Sequence, residues 1–228
     1  MRLATRPHAI DWDPRETALV IVDMQNGFCM PGGYLDLVGY DVTGAQAVIT
    51  VLNGLLPAVR AAGMPVVFLQ SGFDPLYRVV GGPTAPVWHK SEALILMRER
   101  PELYGRLITQ GGWDYEIVDA LKPTPEDILV RKSRYSGFAG TDLDQQLRAR
   151  RIRNLIFTGV ATNICVETTL REAYSREYFV LLLEDATHQA GEPAMKQATL
   201  TNVERYFGWV CGSAVLRAAL TPARASAI

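Results

Sequence analysis

The fold of this chain is decided by the stretch NLIFTGVATNICV, residues 154–166. Residues 154–158 form an apolar run that predicts a buried strand, and a helix is predicted over about residues 163–176. Cys165 is therefore expected at a strand-to-helix turn, on the first turn of the helix. Unpaired backbone N–H groups and the helix dipole favour a thiolate at such a place. A thiolate there would be a nucleophile for an electrophilic carbonyl group.

The alternation of strand and helix patterns continues along the whole chain. Further strands are predicted at residues 17–22, 65–70, 128–132, 179–185 and near Trp209. Helices are predicted at residues 42–62, 141–150, 192–206 and at the C-terminal end, and Gly63 is a plausible cap. This alternation predicts an α/β fold with three α-β-α layers, in which helices cover both faces of a mostly parallel, six-stranded sheet.

The chain shows no internal repeat and no obvious linker, so its 228 residues are expected to form a single domain over 1–228. Pro7 and Pro14 predict an irregular leader over residues 1–16. Residues 71–112 are rich in glycine and proline and only weakly periodic. A compact fold tolerates such an insertion mainly where it covers a site, and we expect it to cover the substrate.

Composition excludes several classes of protein. A formal net charge of −1 gives no reason to expect nucleic acid or an anionic membrane as a partner. No apolar run reaches the roughly 18 residues that span a bilayer, and the first residues lack the apolar core of a signal peptide. The three cysteines are widely spaced, which fits a reducing compartment. We therefore expect a cytoplasmic protein.

Three polar residues follow or end strands of the predicted sheet. Asp23 and Lys132 each stand at a strand end, and Cys165 follows a third strand. Sites in such sheets lie at the carboxyl ends of the strands, so the three side chains are expected to converge. A carboxylate beside a thiol can act as general base, and a lysine can hold that carboxylate in place. Each residue alone also has a plain structural reading, whereas Cys29 and Cys211 have no comparable context and are taken as structural.

DMQN at residues 23–26, Lys132 and GVATNICVETT at residues 159–169 together resemble the cysteine hydrolases of the isochorismatase-like superfamily. The resemblance extends over about residues 15–220. It implies a catalytic triad of Asp23, Lys132 and Cys165. It also implies a non-proline cis peptide just before Ala161, and an oxyanion hole made by the backbone N–H groups of Ala161 and Cys165.

The subfamilies differ in their chemistry. Isochorismatases lack the nucleophilic cysteine, which this chain has in Cys165. Nicotinamidases carry an Asp-x-His-x-x-His metal pattern after the second strand, but residues 71–76 of this chain contain no histidine. The three histidines are far apart in the sequence, so we predict no metal site and no cofactor. A metal-dependent nicotinamidase is thus disfavoured, and so is a non-catalytic, thiol-reactive binding protein, which would not need all three polar residues.

A closer resemblance, to the amidohydrolases that cleave ureidoacrylate, rests on PGGYLDL at 31–37, GGP at 81–83, HKS at 89–91, WDY at 113–115, RYSGF at 134–138 and EDATHQAG at 184–191. It implies cleavage of (peroxy)ureidoacrylate to (peroxy)aminoacrylate and carbamate in pyrimidine degradation, through a carbamoyl thioester. The chain departs from that pattern at Ser71 and Phe73, where those enzymes more often have Asn and Trp. Another ureide, such as biuret or an N-carbamoyl amino acid, is the alternative substrate.

The substrate carboxylate needs a hydrogen-bond donor or cation. The candidates for binding substrate are Asn26, Ser71, Phe73, His89, Lys90, Tyr135 and Arg134. Gln25 and Asn26 could also orient Asp23, and His188 could form an alternative Cys-His dyad. Phe28, Trp113 and Phe138 are candidates for aromatic side chains in the wall of the substrate pocket. The resemblance further implies a homodimer or homotetramer.

Overall fold

Strands and helices alternate through residues 1–221, the part of the chain that the computed structural model describes. The strands are β1 (Arg2–Leu3), β2 (Ile10–Asp11), β3 (Thr17–Val22), β4 (Val66–Ser71), β5 (Ile128–Lys132), β6 (Asn154–Val160), β7 (Phe179–His188) and β8 (Trp209–Cys211). The helices are α1 (Asn26–Cys29), α2 (Tyr34–Leu37), α3 (Thr43–Ala61), α4 (Pro86–Lys90), α5 (Glu92–Glu99), α6 (Leu143–Ala149), α7 (Glu167–Ser175), α8 (Pro193–Asn202) and α9 (Ser213–Leu220).

Six strands form one sheet in the order β5-β4-β3-β6-β7-β8, and all five pairings are parallel. The central strands β3 and β6 are buried along their whole length, as continuous apolar runs predict for a sheet that is covered on both faces. Two separate groups of buried apolar side chains pack on its faces. The predicted α/β fold is therefore confirmed, and the six predicted strands occur close to their expected positions.

Helix α3 shows why the sequence signals for a helix are strong here. Its buried positions include Ala45, Val48, Leu52 and Val59, which recur at helical spacing on one face. The helix ends at a glycine in the left-handed region, Gly63, with φ +68°. The N–H of Met64 donates to the Val59 carbonyl at 3.2 Å, so the last turn closes in the way that a C-terminal glycine permits.

The N-terminal segment is more ordered than the prediction of an irregular leader, which is wrong. Strands β1 and β2 pair in an antiparallel manner. Between them in the chain, Arg6 exchanges two backbone hydrogen bonds with Val210, of 2.9 and 3.0 Å. The segment therefore covers the free edge of β8, which would otherwise expose unpaired backbone groups. The segment contains no α-helix, and Pro14 begins only a short 3-10 turn, Pro14–Glu16.

The predicted insertion over residues 71–112 is folded. It contains α4, α5 and several short 3-10 turns, and it lies between β4 and β5 in the chain. Tyr40, before α3, donates its hydroxyl hydrogen bond to Glu92 of α5 at 2.9 Å. Within residues 1–221, no helix combines the length and the apolar character needed to cross a membrane.

Candidate active site

Asp23 and Lys132 form a buried ion pair at the carboxyl ends of their strands. Lys132 Nζ donates to Asp23 Oδ2 at 2.8 Å, and neither side chain is exposed to solvent. The chain turns sharply at Asp23, whose φ of +50° is uncommon for a residue other than glycine. The Asp23 N–H donates to the Leu69 carbonyl at 3.0 Å, which ties this turn to the end of β4. The conformation aims the carboxylate across the strand ends, toward Lys132.

Burial and charge shift the pKa values of Asp23 and Lys132 in opposite directions. Burial raises the pKa of Asp23, and Lys132 opposes that shift. Burial alone would lower the pKa of Lys132, but the Asp23 carboxylate and Cys165 raise it above its usual value. The lysine is therefore a cation at neutral pH. The second carboxylate oxygen, Asp23 Oδ1, is buried and has no hydrogen-bond partner among the described residues, so it is free to accept a proton.

Cys165 is buried beside the ion pair, but its local structure differs from the prediction. Residues Thr162–Val166 form a π-helical turn, with the Val166 N–H donating to the Ala161 carbonyl at 3.2 Å, and α7 begins only at Glu167. Burial raises the pKa of the Cys165 thiol, and the nearby Lys132 cation offsets this only in part. Burial thus opposes the thiolate that the helix start favours, because loss of hydration outweighs the nearby positive charge.

Two features hold the backbone around the thiol. Thr169 Oγ1 donates to the Cys165 carbonyl at 2.6 Å and accepts a hydrogen bond from the Gly137 N–H at 3.0 Å. Gly159, with φ +101°, lies so close to β3 that an added Cβ would overlap the Val22 carbonyl oxygen. Only glycine allows β6 to approach β3 so closely, one residue before Asp23 in the chain.

The Val160–Ala161 peptide bond is cis, as the resemblance implies. Ala161 and Cys165 both line a cavity of about 400 Å³ at the carboxyl ends of the strands. The two backbone N–H groups of the implied oxyanion hole thus belong to residues of the same wall. Their role in binding an oxyanion stays a prediction.

The cavity wall contains five of the seven residues predicted to bind substrate. These five are Ser71, Phe73, Lys90, Arg134 and Tyr135. Residues 71–112 contribute much of the wall, as expected of a segment that covers a site. Phe28, one of the expected aromatic walls, also lines the cavity. Ser71 and Phe73, where the chain departs from the pattern it resembles, therefore face the space that a substrate would occupy.

Two predicted substrate-binding residues lie outside the cavity wall. The side-chain amide of Asn26 donates to the Trp113 carbonyl at 3.0 Å, which fixes it to the loop after the insertion. His89 bonds through Nε2 to the Pro83 carbonyl at 2.8 Å and is exposed. Both residues lie within motifs of the sequence, but their side chains bond to backbone carbonyl groups outside the cavity wall. This geometry gives these two assignments no support, and they stay predictions.

Other predicted partners are also absent from the site. His188 bonds through Nε2 to the Asp41 carbonyl at 3.0 Å and packs against Gly44, so the alternative Cys-His dyad is wrong. Gln25 donates to the Ser71 and Tyr115 carbonyls instead of orienting Asp23.

The two remaining aromatic candidates do not line the cavity either. Trp113 is 54% exposed, and Phe138 packs in the core on the other side, stacked on Tyr178.

The cavity wall also contains residues that sequence reasoning missed, among them Tyr34 and Glu92. Tyr34 is 92% buried, its ring meets Phe28 edge-on at 5.6 Å, and it lines the cavity. Burial raises the pKa of Tyr34, and Glu92, also on the wall, raises it further. The PGGYLDL segment contained the signal for Tyr34, but nothing in it shows where the side chain points. Tyr34 and Glu92 add polar groups to the wall, beside those of Lys90, Arg134 and Tyr135.

Within residues 1–221, no group of three or more His, Cys, Asp or Glu side chains is arranged to hold a metal ion. Cys29, Cys165 and Cys211 are all buried and free of disulfide bonds. The buried cluster thus consists of a thiol, a carboxylate and an ammonium group, an arrangement suited to nucleophilic attack with general acid–base assistance.

Comparisons with known proteins agree with this arrangement. The model of the isochorismatase domain matches residues 17–215. A protein named ureidoacrylate amidohydrolase RutB from Pseudomonas savastanoi pv. phaseolicola (strain 1448A / Race 6) is 56% identical over 208 residues, covering 91% of this chain and 85% of that protein. A protein of the same name from Cronobacter turicensis is 52% identical over 223 residues, covering 98% of this chain and 96% of that protein.

Among solved structures, a cysteine hydrolase from Pseudomonas syringae pv. phaseolicola 1448A superposes with a TM-score of 0.75 at 31% identity, covering 92% of this chain and 96% of that one. The domain match spans most of the chain and includes all three residues of the buried cluster. This chain belongs to the isochorismatase family.

Proposed function

We propose that this chain is a cysteine amidohydrolase that hydrolyses ureidoacrylate, the compound for which its relatives at 52–56% identity are named. The observation that carries the proposal is the buried Asp23–Lys132 ion pair beside Cys165, at the wall of a cavity of about 400 Å³. The products are aminoacrylate and carbamate, which places the reaction in pyrimidine degradation; carbamate then decays to ammonia and carbon dioxide. The peroxy form of the substrate would react in the same way.

In the first half of the reaction, the Cys165 sulfur attacks the ureido carbonyl carbon while its proton passes to Asp23 Oδ1. The raised pKa of the buried Asp23 makes its carboxylate a better proton acceptor. The negative charge that forms on the carbonyl oxygen is stabilised by the N–H groups of Ala161 and Cys165. The C–N bond then breaks, Asp23 returns its proton to the departing nitrogen, and aminoacrylate leaves.

In the second half, a carbamoyl thioester on Cys165 reacts with water. Asp23 takes a proton from the water, the hydroxyl oxygen bonds to the carbonyl carbon, and the C–S bond breaks. The thiol regains its proton from Asp23, and carbamate is released. Lys132 stays a cation throughout and keeps the carboxylate in position, through the contact of 2.8 Å.

We also propose that the enzyme works in the cytoplasm. Its three buried cysteines are all unpaired, and Cys165 must stay reduced to act as a nucleophile.

The test is ammonia release by the wild-type protein and three variants, each offered ureidoacrylate, biuret, N-carbamoyl amino acids and nicotinamide. Cys165→Ala should abolish turnover of the preferred substrate. Cys211→Ala is the matched control, since it removes another buried cysteine that lies outside the cavity wall, and it should retain activity. Cys165→Ser activity near the wild-type level would overturn the mechanism.

The substrate panel separates the remaining possibilities. Turnover of ureidoacrylate alone, with a carbamoyl adduct on Cys165 after acid quenching, is the expected result. Turnover of another ureide would keep the mechanism and change the substrate, with Ser71 and Phe73 the first wall residues to exchange. Cys165-dependent turnover of nicotinamide alone would contradict the proposal.

A further inference from the structure

The cavity contains two cations that could receive a negatively charged part of the substrate. Lys90 and Arg134 both line its wall, and a single carboxylate, Glu92, lines it as well. Ureidoacrylate has one carboxylate, at the end opposite to its terminal amide. The two cations differ in how firmly they are held, and this difference distinguishes them.

Arg134 is fixed by neutral acceptors alone. Its Nη1 donates to the Ser133 carbonyl at 2.9 Å and to Ser133 Oγ at 3.2 Å, and its Nη2 donates to the Val79 carbonyl at 2.9 Å. No carboxylate among residues 1–221 forms an ion pair with it. A guanidinium group has five N–H donors, so some stay available. Arg134 is therefore a preoriented cation whose charge no side chain compensates.

The backbone of Arg134 is also tied to the reacting groups. Lys132 Nζ, which holds Asp23, donates a second hydrogen bond to the Arg134 carbonyl at 3.1 Å. Thr169 Oγ1 lies 3.4 Å from the Tyr135 carbonyl and also donates to the carbonyl of Cys165. The loop that carries Arg134 thus has a fixed position relative to the thiol, which positioning a substrate requires.

Lys90 is neither held in place by hydrogen bonds of its side chain nor tied to the reacting groups through its backbone. It is exposed at the C-terminal end of α4, and none of the described residues accepts a hydrogen bond from its side chain. Glu92, two residues further along the chain on the same wall, accepts a hydrogen bond from the Tyr40 hydroxyl, and among the described residues it forms no ion pair with Lys90. The Lys90 side chain is therefore not preoriented.

We propose that Arg134 binds the substrate carboxylate and so restricts this site to ureides with an anionic group. The inference rests on the proposed function, because it takes a ureide as the substrate. Arg134 acts as an anchor at the far end of the substrate while the ureido carbonyl lies against Cys165. Lys90 contributes only general attraction near the cavity mouth.

The test compares ureidoacrylate with its neutral carboxamide analogue, in which the carboxylate is replaced by an amide of the same shape. Arg134→Gln should lower kcat/KM for ureidoacrylate about 10- to 100-fold, mainly through KM, the range expected for loss of a hydrogen-bonded charge pair. It should change kcat/KM for the carboxamide less than about threefold. Arg134→Lys, which keeps the charge, should recover part of the loss. Lys90→Gln tests the competing cation and should lower kcat/KM for ureidoacrylate less than Arg134→Gln does. Arg131→Gln is the matched control, because Arg131 is an exposed arginine outside the cavity wall, and it should affect both substrates less than about threefold.

Two results would overturn the proposal. An equal loss of kcat/KM on both substrates in Arg134→Gln and Arg134→Lys would show that Arg134 only supports the structure, through its contact with Val79. A selective loss of the charged substrate in Lys90→Gln, but not in Arg134→Gln, would assign the role to Lys90.

A binding measurement separates this proposal from the proposed function. In Cys165→Ala, which cannot turn over substrate, calorimetry with 3-ureidopropionate and its amide should show a preference for the acid that Arg134→Gln removes. This preference can be present even if wild-type protein fails to hydrolyse ureidoacrylate, a result that would count against the proposed function alone. Equal affinity for acid and amide before the Arg134 substitution would contradict the anchor.

Discussion

Replacing Lys132 by methionine tests how strongly the buried ion pair depends on both partners. The substitution keeps a long side chain but leaves the Asp23 carboxylate buried without its cation. Removing one partner of a buried pair destabilises proteins by about 3–5 kcal/mol, a large part of the roughly 5–15 kcal/mol that holds a domain folded. The Arg134 carbonyl also loses a donor. We therefore expect a fall in the free energy of unfolding of about 3–5 kcal/mol.

The assay is urea denaturation at constant ionic strength, followed by circular dichroism. Arg131→Met is the matched control, because Arg131 precedes Lys132 on the same strand but is exposed; its effect should stay within about 0.5 kcal/mol. The double variant Asp23→Asn/Lys132→Met removes both charges and should lose less stability than the sum of the two single variants. A loss in Lys132→Met no larger than in Arg131→Met would refute the reasoning.

The pH dependence of the Lys132→Met variant gives a second check of the same idea. Burial raises the pKa of Asp23, and Lys132 opposes that shift, so the variant should raise it further. A carboxyl group whose pKa is higher in the folded than in the unfolded protein favours folding at low pH and loses this contribution as pH rises through the folded value. The penalty of Lys132→Met should therefore be smaller at pH 5 than at pH 8. A penalty that grows on acidification would contradict this account.

Three further predictions concern the same region. In the wild-type protein, the pKa of Lys132 is raised above its usual value of about 10.4, and this shift stabilises the folded state. The stabilisation is complete below the usual pKa and is lost as pH rises through the raised pKa. Lys132→Met should therefore lose less of its free energy of unfolding at alkaline pH than the wild-type protein does. Gly159→Ala should destabilise the protein by at least about 2 kcal/mol in thermal unfolding, and Gly63→Ala by about 1 kcal/mol. Both positions have a positive φ, but only at Gly159 would the new Cβ also overlap the Val22 carbonyl. Equal losses in the two variants would contradict the close approach of β6 to β3. Because burial raises its pKa, Cys165 should react slowly with iodoacetamide at pH 7, and the rate should increase about tenfold per pH unit up to pH 9, measured by mass spectrometry; a rate that is flat from pH 6 would indicate a stable thiolate.

The sequence was sufficient to place Asp23, Lys132 and Cys165 together. Apolar runs define the strands, the alternation with helices makes the sheet parallel, and the carboxyl ends of parallel strands meet at one edge. Polar residues at those ends are therefore brought together by topology alone, before any side-chain contact is known. The order β5-β4-β3-β6 observed here places Lys132, Asp23 and the turn before Cys165 on strands that lie close together.

The directions of the side chains could not be predicted from the sequence. His89 and Lys90 are neighbours in the chain, yet only Lys90 lines the cavity, because the His89 ring bonds to the Pro83 carbonyl. Asn26 lies within the DMQN motif but is held by the Trp113 carbonyl. These contacts depend on where a distant backbone segment passes, which no local pattern encodes. The raised pKa of Cys165 could not be predicted for a related reason. A helix start favours a thiolate, but the pKa also depends on how deeply the thiol is buried, which the sequence does not show.

Lys132 connects the chemistry of the site to the recognition of substrate. Its ammonium group holds the Asp23 carboxylate at 2.8 Å and the Arg134 carbonyl at 3.1 Å, and its charge lowers the pKa of the Cys165 thiol. A compact ammonium group with three donors can make these contacts in a fully buried space, whereas the planar fork of arginine would direct its donors differently. In the proposed mechanism, the same cation therefore orients the base, stabilises the nucleophile and positions the loop that carries the proposed carboxylate anchor. Loss of Lys132 should consequently impair substrate binding as well as the chemical step.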